Sequence, residues 1–485
     1  MSFLSRLNIR AAVSSLSSTM ARPTRAAAAA AAAKRARSSS LSATDAESTP
    51  PPPKKAAKKA ATSKASAASS KSLTKTTPSR KSIAKFPPAG LEAPYPARLG
   101  LPVFVSASAA PLVTPPGAFA PQVNGGLLSA VDAAARPLLI GAHVSMAGGP
   151  ATALLRSAKL GANGLALFVK GHRTWKSKPM EEEAIEKFRE IIKPEAEGGM
   201  GYGPESILVH GNYLINLGNP DESKRNVAYE CFRDDLERCH KLGIKLYNWH
   251  PGSTVGACSK EESFALVAKA INRVHKEVPE VITVIENMAN AGSNILGTAF
   301  ADLASMIALV EDKSRVRVCL DTCHTFAAGY DLRTPETYAA TMDDFDKIVG
   351  FQYLAGIHLN DSKAPLGGNR DLHENIGLGE IGLTGFRELV RDPRMAGIPM
   401  VLETPSGPED GVMSEIWAKE VALFYEIQGV SDGEWESKKV EIETRWRKER
   451  DAISPPKAKP AKKTPSKAKG RSKKKESESE AEDSE

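Results

Sequence analysis

Short apolar runs alternate with longer segments of helical periodicity between Arg136 and Gly429. A short run of apolar and β-branched residues is typical of a buried strand, and apolar residues spaced three and four apart are typical of a helix packed on one face. Regular alternation of the two predicts repeated βα units and a parallel sheet.

Eight such runs can be counted: Leu138–Ser145, Leu165–Lys170, Ile207–Gly211, Leu246–His250, Val281–Asn287, Val316–Asp321, Leu354–Asn360 and Ile398–Glu403. Each is followed by a predicted helix: Ala151–Leu160, Glu181–Ile192, Glu222–Leu242, Glu261–His275, Phe300–Val310, Pro335–Val349, Gly385–Val390 and Ser414–Ile427. The pattern predicts an α/β fold, a single (β/α)8 TIM barrel. A doubly wound open sheet is the alternative, and the positions of the polar residues favour the barrel.

Metal-type ligands lie at the ends of the predicted strands, where a TIM barrel carries its chemistry. The candidate ligands are His210, His250, Glu286, Asp321, His324, His358, Asp371, His373 and Glu403. Four acids gathered at one barrel mouth would be costly without compensating positive charge. Mixed imidazole and carboxylate ligands favour Zn²⁺ or Mn²⁺ over Mg²⁺ or Ca²⁺, and nine ligands are enough for three ions.

The remaining histidines and two cysteines receive weaker predictions. His143 and His172 fall near strand ends and are expected near substrate or ligands, whereas His240 and His275 lie on predicted helices and are expected to be exposed. The remaining pair, Cys319 and Cys323, flanks the ligands of the sixth strand. One of these thiols could be a ligand, but packing beside the site is the simpler interpretation.

Composition divides the chain into a core and two tails. Residues 1–136 hold 19 Lys and Arg against 4 Asp and Glu, and residues 451–485 hold 10 against 7. Since the net charge is +8, residues 137–450 carry −10. We predict a disordered basic extension at 1–136, the barrel at 137–430, a charged helical extension at 431–453 and a disordered tail at 454–485.

Cysteine usage and hydropathy exclude other classes of protein. The five cysteines are odd in number and contain no C-x-x-C pair, which disfavours a disulfide framework and a four-cysteine zinc site. No apolar run is long enough to cross a bilayer. We therefore expect a protein without a membrane partner, in a reducing compartment.

Five segments carry a specific resemblance: Ile140-Gly-Ala-His-Val-Ser145, His210-Gly-Asn-Tyr-Leu-Ile-Asn-Leu217, His250-Pro-Gly-Ser253, Asp321-Thr-Cys-His324 and His358-Leu-Asn-Asp361. Together, and in this order, they resemble the endonuclease IV family of zinc-dependent apurinic/apyrimidinic endonucleases. The likeness covers about residues 138–428, and the long extensions suit a eukaryotic, fungal-like member.

The resemblance implies three zinc ions. Glu286 would bridge two of them and act as the catalytic carboxylate. By the same likeness, the first ion would be held by His210 and His250, the second by Asp321, His358 and Glu403, and the third by His324, Asp371 and His373.

The resemblance also implies the reaction and the partner. Family members cut duplex DNA 5′ to an abasic site, leave a 3′-hydroxyl and a 5′-deoxyribose phosphate, and remove 3′ blocking groups, as base excision repair requires. Arg173, Tyr213 and Leu214 would bind DNA by entering the helix and filling the gap. The enzyme is expected to act as a monomer.

Three other functions remain open from the sequence. A sugar isomerase or epimerase on a metal-dependent barrel would use similar ligands around a small-sugar pocket. A related ultraviolet-damage endonuclease would keep the metals but recognise distorted base pairs. A chromatin protein without enzymatic activity would explain the basic tails but not the ligands.

The N-terminus carries signals for two compartments. The first acidic residue is Asp45, and the Arg- and Ser-rich segment before it resembles a mitochondrial transit peptide, although an ordinary basic tail is the alternative. Lysine pairs at Lys54–Lys55 and Lys58–Lys59 favour nuclear import. We expect the protein in both the nucleus and the mitochondrion, with initiation at Met20 removing the mitochondrial signal.

Overall fold

The computed structural model describes residues 138–407 and 414–455. The extension predicted at 1–136 and nearly all of the tail predicted at 454–485 lie outside the described residues. Within them, eight parallel strands close into a barrel, in which each strand pairs with the next barrel strand along the chain and the last pairs with the first. The predicted TIM barrel is confirmed.

The barrel strands are β1 Leu139–His143, β2 Gly164–Leu167, β3 Ile207–His210, β4 Leu246–Trp249, β5 Ile282–Glu286, β6 Val316–Asp321, β7 Leu354–Leu359 and β10 Pro399–Leu402. The helices are α1 Pro150–Lys159, α2 Glu182–Ile191, α3 Glu222–Leu242, α4 Lys260–Glu277, α5 Phe300–Ala308, α6 Thr322–Ala327, α7 Pro335–Ile348, α8 Gly382–Arg391, α9 Glu415–Gly429 and α10 Trp435–Ile453. Helix α6 and a hairpin of β8 Asp361–Ser362 with β9 His373–Glu374 were not predicted from the sequence, and α8 begins three residues earlier than predicted.

Local chemistry fixes the helix ends. Asp221 precedes α3 and accepts a hydrogen bond from the Lys224 N–H at 3.2 Å, while Gly243 ends that helix with a φ of +76°. Ser259 and Glu262 form a reciprocal capping box at the start of α4. These caps satisfy backbone groups that the helices leave unpaired.

Alternate strand residues pack into two separate cores. On β3, Ile207 and Val209 belong to the large core between strands and helices, whereas Leu208 belongs to a small cluster inside the barrel. Inside the barrel Leu208 meets Ala166, Leu246, Val284, Cys319 and Val401. Gly356 leaves them room, since a Cβ there would lie 2.8 Å from Leu208 Cδ2. The barrel is thus a filled core rather than a pore.

No helix within the two described ranges is long and apolar enough to span a membrane. All five cysteines are free thiols.

Candidate metal centre

The metal-type side chains lie one layer above the apolar filling of the barrel. A step of two residues along a strand returns to the same face, so Leu208 is followed by His210, Val284 by Glu286 and Cys319 by Asp321. His358 follows Gly356, and Glu403 follows Val401, in the same way. The structure brings all nine predicted ligands together in one connected cluster at this mouth.

Glu286 is the centre of the cluster and is fully buried. Its Oε2 lies 3.5 Å from Nε2 of both His210 and His250, and its Oε1 lies 3.1 Å from His358 Nδ1 and 3.4 Å from His324 Nδ1. Burial raises the pKa of Glu286, but the positive charges of His358 and His250 outweigh it and hold the pKa well below its ordinary value. The carboxylate is therefore charged and surrounded by imidazoles.

A second group joins three strands. Ligand atoms of Asp321, His358 and Glu403 lie within 4.8 Å of one another. His358 Nδ1 is 3.4 Å from Glu403 Oε2 and 3.9 Å from Asp321 Oδ2. This is the set that the resemblance implies for the second ion.

A third group lies beside it, nearer solvent. His324 Nε2 is 3.3 Å from Asp371 Oδ2, and His373 Nε2 is 3.0 Å from Asp371 Oδ1. The Asp371 side chain is 47% exposed, whereas that of His324 is 3% exposed. These three residues are the set implied for the third ion.

The set implied for the first ion is more open. Nε2 of His210 and of His250 both face Glu286 Oε2, but the His250 side chain is 28% exposed against 2% for His210. A tighter group of His210, Glu286 and His358 also lies within 4.8 Å. His250 therefore closes the cluster on its solvent side.

The imidazole hydrogen bonds test whether cations fit this cluster. His210 Nδ1 lies 2.8 Å from the Gly211 carbonyl oxygen, His324 Nδ1 lies 2.9 Å from that of Asn287, and His373 Nδ1 lies 3.3 Å from that of Glu403. A carbonyl can only accept, so each Nδ1 donates and the neutral ring keeps its lone pair on Nε2. Nε2 of His324 and of His373 is buried and, although Asp371 oxygens lie close, forms no regular hydrogen bond among the described residues. The donor set fits divalent ions.

Without a metal the cluster would hold protons instead. Burial lowers the pKa of His324, but Asp321, Asp371 and Glu286 outweigh it and raise the pKa to about 10. Burial also lowers the pKa of His358, but nearby negative charge outweighs it and raises that pKa well above its ordinary value. The site demands positive charge, which protons or metal ions can supply.

Three side chains hold the carboxylates: two amides that were not predicted from the sequence, and His143, which was expected near the ligands. Asn248 donates to Glu286 Oε2 at 2.6 Å, Asn360 donates to Asp321 Oδ2 at 2.7 Å, and the His143 ring lies 2.9 Å from Glu403 Oε1 through Nδ1. Two-residue spacing could have identified the amides, since Asn248 precedes His250 and Asn360 follows His358 by two positions.

The other histidines and the cysteines are placed as follows. His240 and His275 lie on helices, but both are only half-exposed, and His275 Nε2 lies 3.1 Å from Thr283 Oγ1, so the expectation that they are exposed was wrong. Burial raises the pKa of both Cys319 and Cys323 to about 12. Protonated, buried thiols agree with packing beside the site.

The predicted DNA-binding residues lie on two loops at the rim. The Arg173 guanidinium carbon is 5.9 Å from the centre of the Tyr213 ring, and that ring is 5.1 Å from the ring of His210. Tyr213 is 43% exposed, and the Leu214 N–H donates to Asn212 Oδ1 at 2.9 Å. Exposed side chains thus stand directly beside the ligand cluster.

Asn212 connects these two loops. Its amide donates to the carbonyl oxygens of Gly171 and Thr174, both at 2.8 Å. Beneath them, Lys170 Nζ lies 3.0 Å from Asp235 Oδ1 and donates to Asp234 Oδ2 at 2.7 Å. The loop that carries Arg173 is therefore anchored to α3 and to the loop that carries Tyr213.

The sequence family described as Xylose isomerase-like TIM barrel matches residues 154–426. The chain is 50% identical over 287 residues to apurinic-apyrimidinic endonuclease 1 of Schizosaccharomyces pombe, covering 58% of this chain and 80% of that protein. It is 45% identical over 289 residues to probable endonuclease 4 of Campylobacter curvus, covering 60% of this chain and 98% of that protein. The crystal structure of endonuclease IV from Thermus thermophilus matches with a TM-score of 0.51 at 31% identity, over 60% of this chain and 98% of that one. With the barrel and its ligand cluster, these similarities show that the chain belongs to the endonuclease IV family of apurinic-apyrimidinic endonucleases.

Proposed function

We propose that this protein is a DNA repair endonuclease that hydrolyses the phosphodiester bond 5′ to an abasic site in duplex DNA, with three zinc ions held by the nine ligands. The observation that carries the proposal is the convergence of five histidines and four carboxylates on one barrel mouth, beside exposed Arg173 and Tyr213. Removal of 3′ blocking groups is proposed as a second use of the same site.

The reaction needs a nucleophile and positive charge around a pentacovalent phosphorus. When bound, zinc would activate the attacking water as a Lewis acid and would supply the positive charge around phosphorus. Water adds to phosphorus, the bond from phosphorus to the upstream 3′-oxygen breaks, and that oxygen leaves with a proton as a 3′-hydroxyl. The deoxyribose keeps the 5′-phosphate.

The chain's own contribution is to fix the ligands before DNA arrives. Asn248 and Asn360 orient the carboxylates of Glu286 and Asp321, and backbone carbonyls select the imidazole tautomers. Groups held in place need little reorganisation during the reaction. Glu286, which faces four histidines, would be the central carboxylate ligand of the proposed ions.

Recognition is proposed to be steric. An abasic nucleotide has no base to unstack, so its sugar leaves the helix at reduced cost. A cavity of 660 Å³ opens beside Glu403, lined in part by His143, Phe168 and Trp417, and could receive that sugar. Arg173, Tyr213 and Leu214 would fill the gap left in the duplex.

Charge at first argues against a DNA partner, because residues 137–450 carry −10. Four of these charges are ligand carboxylates, which bound ions would neutralise. The basic tails would add nonspecific attraction to phosphates.

Incubating zinc-replete protein with a duplex that contains one tetrahydrofuran abasic analogue tests this function. We expect a single nick 5′ to the analogue, with a 3′-hydroxyl end. Incision only at an ultraviolet lesion would select the related damage nuclease, and turnover of a ketose without any nick would select an epimerase.

We also propose that the protein acts in both nucleus and mitochondrion. Tagged protein translated only from Met20 should be nuclear, because the N-terminal Arg-rich segment is shortened while all lysine pairs remain. Mitochondrial import of that form would contradict the proposal.

A further inference from the structure

Helix α10 lies beyond residues 154–426, the part matched by the barrel family. Trp435, Ile442 and Trp446 of this helix are buried. Trp435 Nε1 donates to Thr384 Oγ1 of α8 at 3.2 Å. The helix is therefore packed on the barrel at several points along its length.

Its C-terminal half contacts the segment that follows His373. Trp446 Nε1 donates to the Ile376 carbonyl oxygen at 2.8 Å. Arg450 Nη1 donates to Glu374 Oε1 at 3.0 Å and to Asn375 Oδ1 at 3.1 Å. Glu374, which accepts from Arg450, directly follows the proposed metal ligand His373 in the chain.

The same segment is fixed from its other side by α9. The buried Glu420 accepts from the Ile376 N–H at 2.8 Å and from Asn375 Nδ2 at 3.1 Å. Asn375 Nδ2 also donates to the Pro405 carbonyl oxygen at 3.0 Å, in the loop after Glu403. Residues 374–376 are therefore held by hydrogen bonds with α9, with α10 and with the loop that follows Glu403.

The Arg450 contact is sheltered from water. The side chains of Arg450 and Glu374 are 16% and 18% exposed, so solvent screens this ion pair less than the pairs on the outer face of α10. Arg450 donates to the carboxylate of Glu374 and to the amide oxygen of Asn375. Its planar guanidinium therefore holds both acceptors in a defined orientation. Loss of Arg450 would release the side chains of Glu374 and Asn375 and so loosen the segment on the C-terminal side of His373.

We propose that α10 is a positioning element of the metal centre, in which Arg450 and Trp446 hold residues 374–376 and thereby keep His373 in place for the third ion. This rests on the metal cluster proposed above. Removing a group that holds a metal ligand in its orientation typically lowers metal affinity by about 10- to 100-fold. Neither residue touches substrate.

The test compares Arg450→Ala with Arg445→Ala. Arg445 lies on the same helix and forms an ion pair with Glu426 of α9, away from the ligand segment. Zinc-loaded proteins are mixed with a chromophoric chelator, and the release of each equivalent is timed. We expect one equivalent to leave Arg450→Ala about 10- to 100-fold faster than wild type, with the other two unchanged and with Arg445→Ala like wild type.

Equal release from both variants, or uniform acceleration of all three equivalents in step with a lowered Tm, would overturn the proposal. If Arg450→Ala does not fold, Trp446→Phe removes the donor to Ile376 while keeping an aromatic ring at this position, and the same selective release is expected from it. Unchanged release there would also overturn the proposal. Wild-type protein that retains no zinc would instead refute the metal cluster itself, before any variant is compared.

Discussion

Two layers of side chains inside the barrel lie two residues apart along each strand and have opposite chemical character. The lower layer, with Leu208, Val284 and Val401, is apolar and fills the interior. The upper layer, with His210, Glu286 and Glu403, is polar and holds charges that need an external partner. The same strands carry both layers. We therefore expect changes in the lower layer to alter the free energy of unfolding and changes in the upper layer to alter the reaction. The first two predictions below each change one layer and ask whether the other responds, and the next two concern the charge of the upper layer and the rim beside it.

The largest effect is expected from Glu286→Gln in the upper layer. The amide keeps the size but removes the charge that faces four histidines, so single-turnover incision should fall by at least about 100-fold. Glu280→Gln, an exposed change two residues before the start of the same strand, is the control. Near-normal incision by folded Glu286→Gln would remove this residue from the reaction.

The complementary change is Leu208→Ala in the lower layer. Leu208 is fully buried, and its truncation should cost about 2–5 kcal/mol in the free energy of unfolding. Denaturant unfolding measures that cost, and incision per folded molecule should be unchanged. A large loss of kcat at full folding would show that the layers are not separable.

Zinc binding to metal-free protein should release protons at pH 7.5. The pKa of His324 is raised to about 10 from an ordinary 6.5, so its proton must leave before a metal binds. By linkage, the protonated ring stabilises metal-free protein fully below pH 6.5, and this is lost as the pH rises towards 10. Calorimetric titration in two buffers of different ionisation enthalpy measures the protons, and identical heats would contradict the prediction.

The smallest effect is expected at the rim. Asn212→Ala removes the amide that ties the loops of Arg173 and Tyr213 together. KM for abasic DNA should rise about 10-fold, or about 1.4 kcal/mol, with kcat nearly unchanged because the ligands are untouched. Asn226→Ala, an exposed change on α3, is the control. A fall in kcat alone would show that Asn212 acts on the chemical step and not on DNA binding.

The sequence predicted the barrel well because its signals are local. Each strand is a short run rich in apolar and β-branched residues, and β6 was predicted with its observed bounds of Val316–Asp321. Most of the ligands were predictable for the same reason, since they end or closely follow such a run, whereas Asp371 and His373 lie in the long segment after β7. Parallel strands bring those ends to one mouth.

Contacts between distant residues were not predictable in this way. Asn248 meets Glu286 across 38 positions, and Arg450 meets Glu374 across 76. Neither pair leaves a periodic pattern, because each depends on where the closed barrel places two separate segments. The short hairpin that carries His373 was missed since two-residue strands have no periodicity.

Elemental analysis of fully active protein tests the account most directly, because the upper layer is claimed to hold three divalent ions and to be inert without them. Protein that nicks the tetrahydrofuran duplex should contain close to three zinc ions per chain and should lose both metal and incision after prolonged chelation. A stable content of one ion per chain at full activity would contradict the account.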